Sequence, residues 1–132
     1  MPPRRGSPAD WIYRANSDLA LAKSPASDAI ALEDLCFHAQ QAAEKSIKAV
    51  LLAGGIPFPK THNLDALIDL LPSGVPLPPE DVQVLRLTEY AVTTRYPGMD
   101  EPVTEEEYRE AVRLAESVVK WAEDLLSKSG AV

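Results

Sequence analysis

Three features are scarce or missing in this sequence of 132 residues. It has one cysteine, so no internal disulfide can form, and a reducing cytoplasm is the compartment we expect. No run of about 18 apolar residues is present, so we expect no membrane span, and no apolar segment follows Arg4 and Arg5 as a secretory signal would require. The two histidines stand 24 residues apart without metal-ligand spacing, so we expect no metal site. We also expect no cofactor.

Basic residues are also in the minority, with 13 Lys and Arg against 20 Asp and Glu and a net charge of -7. This balance lacks the broad basic footprint of a dedicated nucleic-acid binder, although a local basic patch is compatible with it. Hydrophobic residues make up 45% of the chain, which is ordinary for a globular protein. The length fits one domain, which we place at residues 7–128, with flexible termini at 1–6 and 129–132.

Alternating strand patterns of useful length are absent, and a helical period replaces them. Ser7 and Pro8 predict the start of a first helix, Gly54 stops a long second helix, and Thr104 with Glu107 forms a capping box before the last. The spacing predicts helices from Ser7 up to Pro25, over 28–53, over 64–71 after the cap Asn63, from Pro79 to Thr94, and over 104–127. The predicted fold is therefore all-α, an antiparallel up-and-down four-helix bundle with a short extra helix. Within it, Cys36 is expected to be a small core residue.

Four polar residues of the second helix share one face, because they stand at spacings of 3, 4 and 3. They are His38, Gln41, Lys45 and Lys48, and Gln40, Glu44 and Lys48 form a neighbouring diagonal. This face has three interpretations: a solvated surface with weak ion pairs, a polar seam between helices or subunits, or a binding site. In a site, Lys45 and Lys48 would attract phosphate and His38 would donate a hydrogen bond.

Two further segments have both a structural and a functional interpretation. The stretch from Lys60 to Asn63 is either an ordinary helix cap or an anion site in which Lys60 and His62 assist helix-end amides. At the predicted end of the third helix, Arg95 and Tyr96 precede Pro97-Gly98. They either terminate that helix or bind a phosphate and stack on a base.

Four ordered segments of the chain resemble the HEPN family, the higher eukaryote and prokaryote nucleotide-binding domain. They are Cys36–Lys45, Gly55–Leu64, Leu87–Gly98 and Val103–Glu107. The resemblance implies a helical bundle that commonly dimerises and that often acts with a minimal nucleotidyltransferase. Some members are ribonuclease toxins, which carry an arginine followed four to six residues later by a histidine.

This sequence departs from the ribonuclease pattern, since no arginine in it has a histidine at that spacing. The usual general acid or base for attack by a ribose 2′-hydroxyl is therefore missing. We therefore predict a nucleotide- or partner-binding module without a catalytic residue of its own. The resemblance further implies that it is a homodimer that acts with a separate minimal nucleotidyltransferase in a toxin–antitoxin-like pair. The predicted binding residues are His38, Gln41, Lys45, Lys48, His62, Arg95 and Tyr96.

Two alternatives remain open at this point. The chain could be a metal-independent ribonuclease that uses Arg95 with a histidine brought from elsewhere. It could also be a structural dimerisation unit, in which the polar face only fixes the geometry of the dimer.

Overall fold

The first helix begins at the predicted place in a computed structural model, which describes residues 3–24, 29–80, 84–92 and 102–130. Helix α1 spans Pro8–Ala22, and the Ser7 side chain accepts a hydrogen bond from the amide of Asp10. This bond satisfies one of the free amides at the helix start, and the ring of Pro8 is compatible with the first turn. Lys23 caps the carboxyl end, while Pro25 lies outside the described residues.

Helix α2 spans Leu32–Ala53, so its predicted start at residue 28 is wrong. Ala31 has extended backbone and serves as the N-cap. A start at Leu32 places two acidic residues in the first turn, where the helix dipole favours negative charge. One of them, Glu33, also accepts a hydrogen bond of 2.6 Å from the amide of Val103 and so joins α2 to the entry of the last helix.

The middle of the chain is less helical than predicted. Helix α3 spans only Leu64–Ile68. Of the predicted third helix, the described residues 84–92 contain a 3₁₀ turn over Leu85–Thr88 followed by helix α4 at Glu89–Val92. Glu80 has a φ of 54°, in the left-handed region, so a continuous helix cannot pass through it. The predicted positions 81–83, 93 and 94 lie outside the described residues.

Helix α5 spans Glu105–Ser129 and opens with the predicted capping box of Thr104 and Glu107. The Tyr108 hydroxyl donates a hydrogen bond of 2.5 Å to the carbonyl of Ala22. The start of α5 therefore lies beside the end of α1, and the two helices run antiparallel.

Helix α2 is central and packs against both α1 and α5. Its inward faces carry small residues, including Cys36 in the core as predicted, which let the neighbouring helices approach closely. The prediction of an all-α bundle is confirmed. Among the described residues, none of the helices is both long enough and apolar enough to cross a membrane. The fully buried residues of α2 are Cys36, Ala39, Gln40, Ala42, Ala43, Ser46, Ile47, Ala49 and Leu51.

Candidate functional site

The polar face of α2 meets a buried carboxylate of α1. Asp18 is 7% exposed and accepts hydrogen bonds from His38 Nδ1 at 3.0 Å and from Lys45 Nζ at 2.5 Å. The two donors lie two turns apart on α2, so Asp18 sits between them on the opposing helix. Asp18 falls on the buried stripe of α1, three residues after Ala15 and four before Ala22.

A second buried carboxylate, Glu44, lies on α2 itself. Its Oε1 accepts hydrogen bonds from Gln40 Nε2 at 3.0 Å and from His62 Nδ1 at 2.8 Å, and its Oε2 accepts one from Lys48 Nζ at 2.9 Å. Gln40 also donates to the carbonyl of His62 at 3.1 Å. Glu44 is only 3% exposed, and these donors satisfy both of its oxygens. The segment before α3 is thereby fixed to α2.

Gln41 joins the two clusters, because its Nε2 donates a 2.7 Å hydrogen bond to Oε1 of Gln40. We name this continuous set the α1–α2 seam. It consists of Asp18, His38, Gln40, Gln41, Glu44, Lys45, Lys48 and His62.

The solvated-surface interpretation of this face is wrong for its most buried members. Gln40, Glu44 and Lys48 are all less than a tenth exposed, and none of the buried side-chain polar atoms of the described residues is left without a partner. The polar-seam interpretation is correct for the contact between helices, since Asp18 comes from α1 and its donors from α2. Buried polar groups must find partners within the protein, which explains why the network is complete.

The two predicted phosphate-binding lysines differ in what they leave open to a ligand. The Lys48 ammonium lies 5.8 Å from the Trp11 ring centroid and 5.6 Å from that of Phe58, and it is bound to Glu44. Lys45 has a side chain that is 25% exposed and uses one donor on Asp18. Because an ammonium has three hydrogen-bond donors, Lys45 keeps two of them for a ligand. Lys48 instead makes its contacts inside the protein, with Glu44 and the two aromatic rings.

The two histidines are each oriented by one carboxylate. An ionised carboxylate only accepts hydrogen bonds, so the Nδ1 atoms of His38 and His62 carry the protons that face Asp18 and Glu44. Their Nε2 atoms are the ring nitrogens that remain for a ligand. The His38 side chain is 33% exposed and that of His62 is 55% exposed.

The start of α3 is an ordinary capped helix end. Asn63 Oδ1 accepts from the amides of Asp65 and Ala66, and Thr88 Oγ1 accepts from the amide of Leu64. Those amides are therefore occupied and do not form an anion site. His62 belongs to the seam instead, through Glu44.

A second charged region surrounds the first turns of α5. A cavity of about 450 Å³, the α5 groove, is lined by Arg86, Thr104, Glu106, Glu107, Arg109, Glu110 and Arg113. Arg113 donates to Glu80 at 2.6 Å and to Glu110 at 2.7 Å. The hydrogen bond from Arg113 holds the pKa of the Glu110 carboxyl below its usual value. The hydrogen bonds to Glu110 and Glu80 together raise the pKa of the Arg113 guanidinium. These groups are exposed, so this region is a surface network and not a buried one.

The predicted residues Arg95 and Tyr96 lie outside the described residues, so their place relative to the seam stays a prediction. Within the described part of the chain, no group of three or more His, Cys, Asp or Glu side chains is arranged to hold a metal ion.

Comparison with known protein families gives one assignment for this bundle. The sequence profile of the HEPN domain matches residues 8–125, which is most of the chain. The chain belongs to the HEPN domain family. The seam lies within the matched region, where α1 packs against the polar face of α2.

Two solved structures share this fold. TT1696 from Thermus thermophilus is 29% identical and superposes with a TM-score of 0.74, covering 89% of this chain and 96% of that one. ST0689, described as an archaeal HEPN homologue, is 27% identical with a TM-score of 0.70, covering 91% of this chain and 98% of its own. None of the curated proteins matches the chain significantly.

Asp18 is the seam residue that the sequence reasoning did not identify. The signal was present, because an aspartate on an apolar helical stripe needs a buried partner. Gln40 and Glu44 form a diagonal of α2 in the sequence, but their spacing alone does not mark them as binding residues. Their importance depends on His62, which is 18 residues from Glu44 and reaches it only through the turn after α2.

Proposed function

We propose that this HEPN domain binds a nucleotide at the exposed rim of the seam and acts with a separate minimal nucleotidyltransferase, in a toxin–antitoxin-like pair. One observation carries the proposal: Lys45 keeps two donors and His38 keeps its Nε2 free at the surface, while Asp18 fixes both side chains from below. Donors held in place before a ligand arrives lose little entropy on binding. Gln41 lies between His38 and Lys45 on the same face of α2 and adds a polar side chain to this surface.

The chemistry of the rim suits a phosphate. Lys45 offers two ammonium donors and His38 offers Nε2, as a donor when its ring is protonated. The seam carries two carboxylates and two lysines, so its fixed charges balance and an added phosphate meets no excess of negative charge. Arg95 and Tyr96 are proposed to complete the site, with the guanidinium on a phosphate and the phenol ring stacked on the base or accepting a transferred nucleotide.

Titration calorimetry with ATP and GTP tests the nucleotide site. Replacing Lys45 by Met removes the exposed ammonium and keeps the His38–Asp18 bond, so binding should weaken by about tenfold or more, as the loss of a charged hydrogen bond implies. Lys120→Met is the matched control, because this lysine of α5 is 77% exposed and lies outside the seam. Equal affinity in both variants and the wild type would refute the site.

The partner is tested separately. The chain is proposed to form a homodimer that associates with the nucleotidyltransferase, and size-exclusion chromatography with light scattering measures both masses. A purified minimal nucleotidyltransferase from the same genome should shift the peak to the mass of a complex. If the two proteins elute apart at micromolar concentration, the partnership is wrong whatever the calorimetry shows.

A second candidate function follows from the orientation of the histidines. A neutral imidazole whose Nδ1 donates to a carboxylate has its lone pair on Nε2 and can accept a proton from a ribose 2′-hydroxyl. The Asp18–His38 and Glu44–His62 pairs have this arrangement, which supports a metal-independent ribonuclease with an unusual site. RNA cleavage in EDTA that is lost in His38→Asn or His62→Asn would favour this function over binding alone. Intact RNA after incubation with the wild type would exclude it.

A further inference from the structure

Positive charge is concentrated at one end of this acidic bundle. Residues 3–14 and 44–63 contain six of the 13 Lys and Arg of the chain but only two of its 20 Asp and Glu. The antiparallel arrangement of α1 and α2 brings these two stretches together. Contacts confirm the juxtaposition, since the rings of Trp11 and Phe58 meet edge to face with centroids 6.1 Å apart. We name this surface the basic end, and it comprises Arg4, Arg5, Arg14, Lys48, Lys60, Trp11 and Phe58.

Most cations of the basic end are open to solvent. Arg4, Arg5 and Lys60 are exposed, and the side chain of Arg14 is 55% exposed despite its contact with Asp10. The two acidic residues of these stretches are already paired: Asp10 accepts from the Gly6 amide at 2.8 Å and from Arg14 Nε at 3.2 Å, and Glu44 accepts from Lys48 Nζ at 2.9 Å. Guanidinium groups present a planar set of donors that matches phosphate oxygens.

Aromatic rings lie among these cations. Trp11 and Phe58 are both half-buried at the edge of the core, and the Lys48 ammonium lies 5.8 Å and 5.6 Å from their ring centroids. Alternation of cations with partly exposed rings is the pattern by which proteins bind single-stranded nucleic acid without reading its sequence. The phosphates meet the cations, and the bases stack on the rings.

A lipid surface fits this end less well. Among the described residues, the large apolar side chains that are clearly exposed are Tyr13, Leu21, Ile30, Phe37, Leu70 and Leu77. Only Tyr13 belongs to the two stretches that form the basic end. Apart from Tyr13, the described residues of this surface expose no large apolar side chain, whereas peripheral membrane binding uses a broad apolar face.

We propose that the basic end is a docking surface for the backbone of single-stranded DNA or RNA, bound through its phosphates and without preference for the sugar. This surface goes beyond the proposed nucleotide site. Arg4, Arg5 and Lys60 do not belong to the seam, so either site can be disproved while the other stands.

Fluorescence anisotropy with 5′-labelled dT12 and U12 tests the proposal. At low salt we expect dissociation constants of about 10⁻⁴ to 10⁻⁶ M, the range of non-specific nucleic-acid binding, with similar values for both oligonucleotides and steep weakening as salt rises. The double variant Arg4→Glu/Arg5→Glu should weaken binding by about tenfold or more and reduce the slope of log K against log salt. Lys60→Glu tests the same surface from the loop after α2 and should weaken binding in the same direction.

The matched control is Arg109→Glu. Its side chain is 74% exposed and lies near the start of α5, at the opposite end of the bundle. It changes the net charge by the same amount as Lys60→Glu, so a specific basic end predicts less than about a twofold effect. Circular dichroism on each variant establishes that it is folded.

Three results would overturn the proposal. Binding could be absent in the wild type at low salt up to about 10⁻⁴ M protein. Arg109→Glu could reduce affinity as much as Lys60→Glu does, which would show a general charge effect. Vesicles containing anionic phospholipid could bind the wild type when neither oligonucleotide does, which would make the end a lipid-binding surface.

Discussion

The α1–α2 seam and the α5 groove use similar side chains in opposite surroundings. In the seam, the side chains of Asp18 and Glu44 are 9% and 4% exposed, and their donors come from other turns or other elements. In the groove, Arg113 is 50% exposed and pairs with Glu80 and Glu110, which are 39% and 46% exposed. One region carries its charges inside the bundle and the other carries them in water.

The difference concerns the cost of losing a partner. When one member of a buried pair is removed, the other keeps its charge in a poorly solvated place, and the cost is high. When an exposed pair is broken, water replaces the lost partner and the cost is small. The seam should therefore determine stability and the groove should not, although both would look alike in a count of ion pairs.

The largest expected effect is that of Glu44→Ala. It leaves the buried Lys48 ammonium without its carboxylate and removes the acceptor of Gln40 and His62, which should lower the free energy of unfolding by about 3–5 kcal/mol. Urea denaturation measures the loss. The double variant Glu44→Leu/Lys48→Met removes both charges and should recover more than half of the stability. A double variant as unstable as Glu44→Ala would mean that shape, and not the uncompensated charge, determines the cost.

Asp18→Ala should cost less, about 2–3 kcal/mol, the scale of a lost charged hydrogen bond. The reason is that His38 and Lys45 are partly exposed, so water can replace some of what they lose. Chemical denaturation of Asp18→Ala beside Glu44→Ala checks the order. If Asp18→Ala lowered the free energy of unfolding more than Glu44→Ala does, the burial of the two carboxylates would not explain their contributions to stability.

In the α5 groove, the capping box should contribute more to the free energy of unfolding than the ion pairs do. Thr104→Ala removes the side chain that accepts from the amide of Glu107 and should cost about 1 kcal/mol. Arg113→Ala breaks the contacts with Glu80 and Glu110 but should shift the denaturation midpoint less than Thr104→Ala does. The reverse order would show that the groove network is stronger than its exposure implies.

The smallest expected effect concerns Asp10 and its dependence on pH. The hydrogen bond from the Gly6 amide, with help from Arg14 and Arg5, holds the pKa of Asp10 below its ordinary value. A carboxylate with a lowered pKa in the folded state stabilises the protein at neutral pH, and this contribution disappears as pH falls below about 4. Asp10→Asn should therefore have a lower thermal midpoint than the wild type at pH 7, and the difference should shrink as pH falls below about 4. A difference that persists in acid would assign the effect to packing.

Much of the fold could be predicted because helix signals are local. The caps at Ser7, Asn63 and Thr104 act over three or four residues, and all three stand where the sequence placed them. The predictions failed where distant contacts compete with local preference. Helix α2 starts at Leu32, and the predicted third helix is interrupted, with the Thr88 side chain bound to the start of α3.

The sequence by itself determined that this chain is an all-α bundle of the HEPN family and that His38, Gln41, Lys45 and Lys48 share one face of a helix. Periodicity and capping are sufficient for this, because they depend on neighbours within one or two turns. Only the tertiary structure decided that Asp18 and Glu44 hold that face together and that Lys48 faces inward while Lys45 does not. These roles depend on which groups from other elements lie within hydrogen-bond distance, and the spacing of residues along the chain does not fix that.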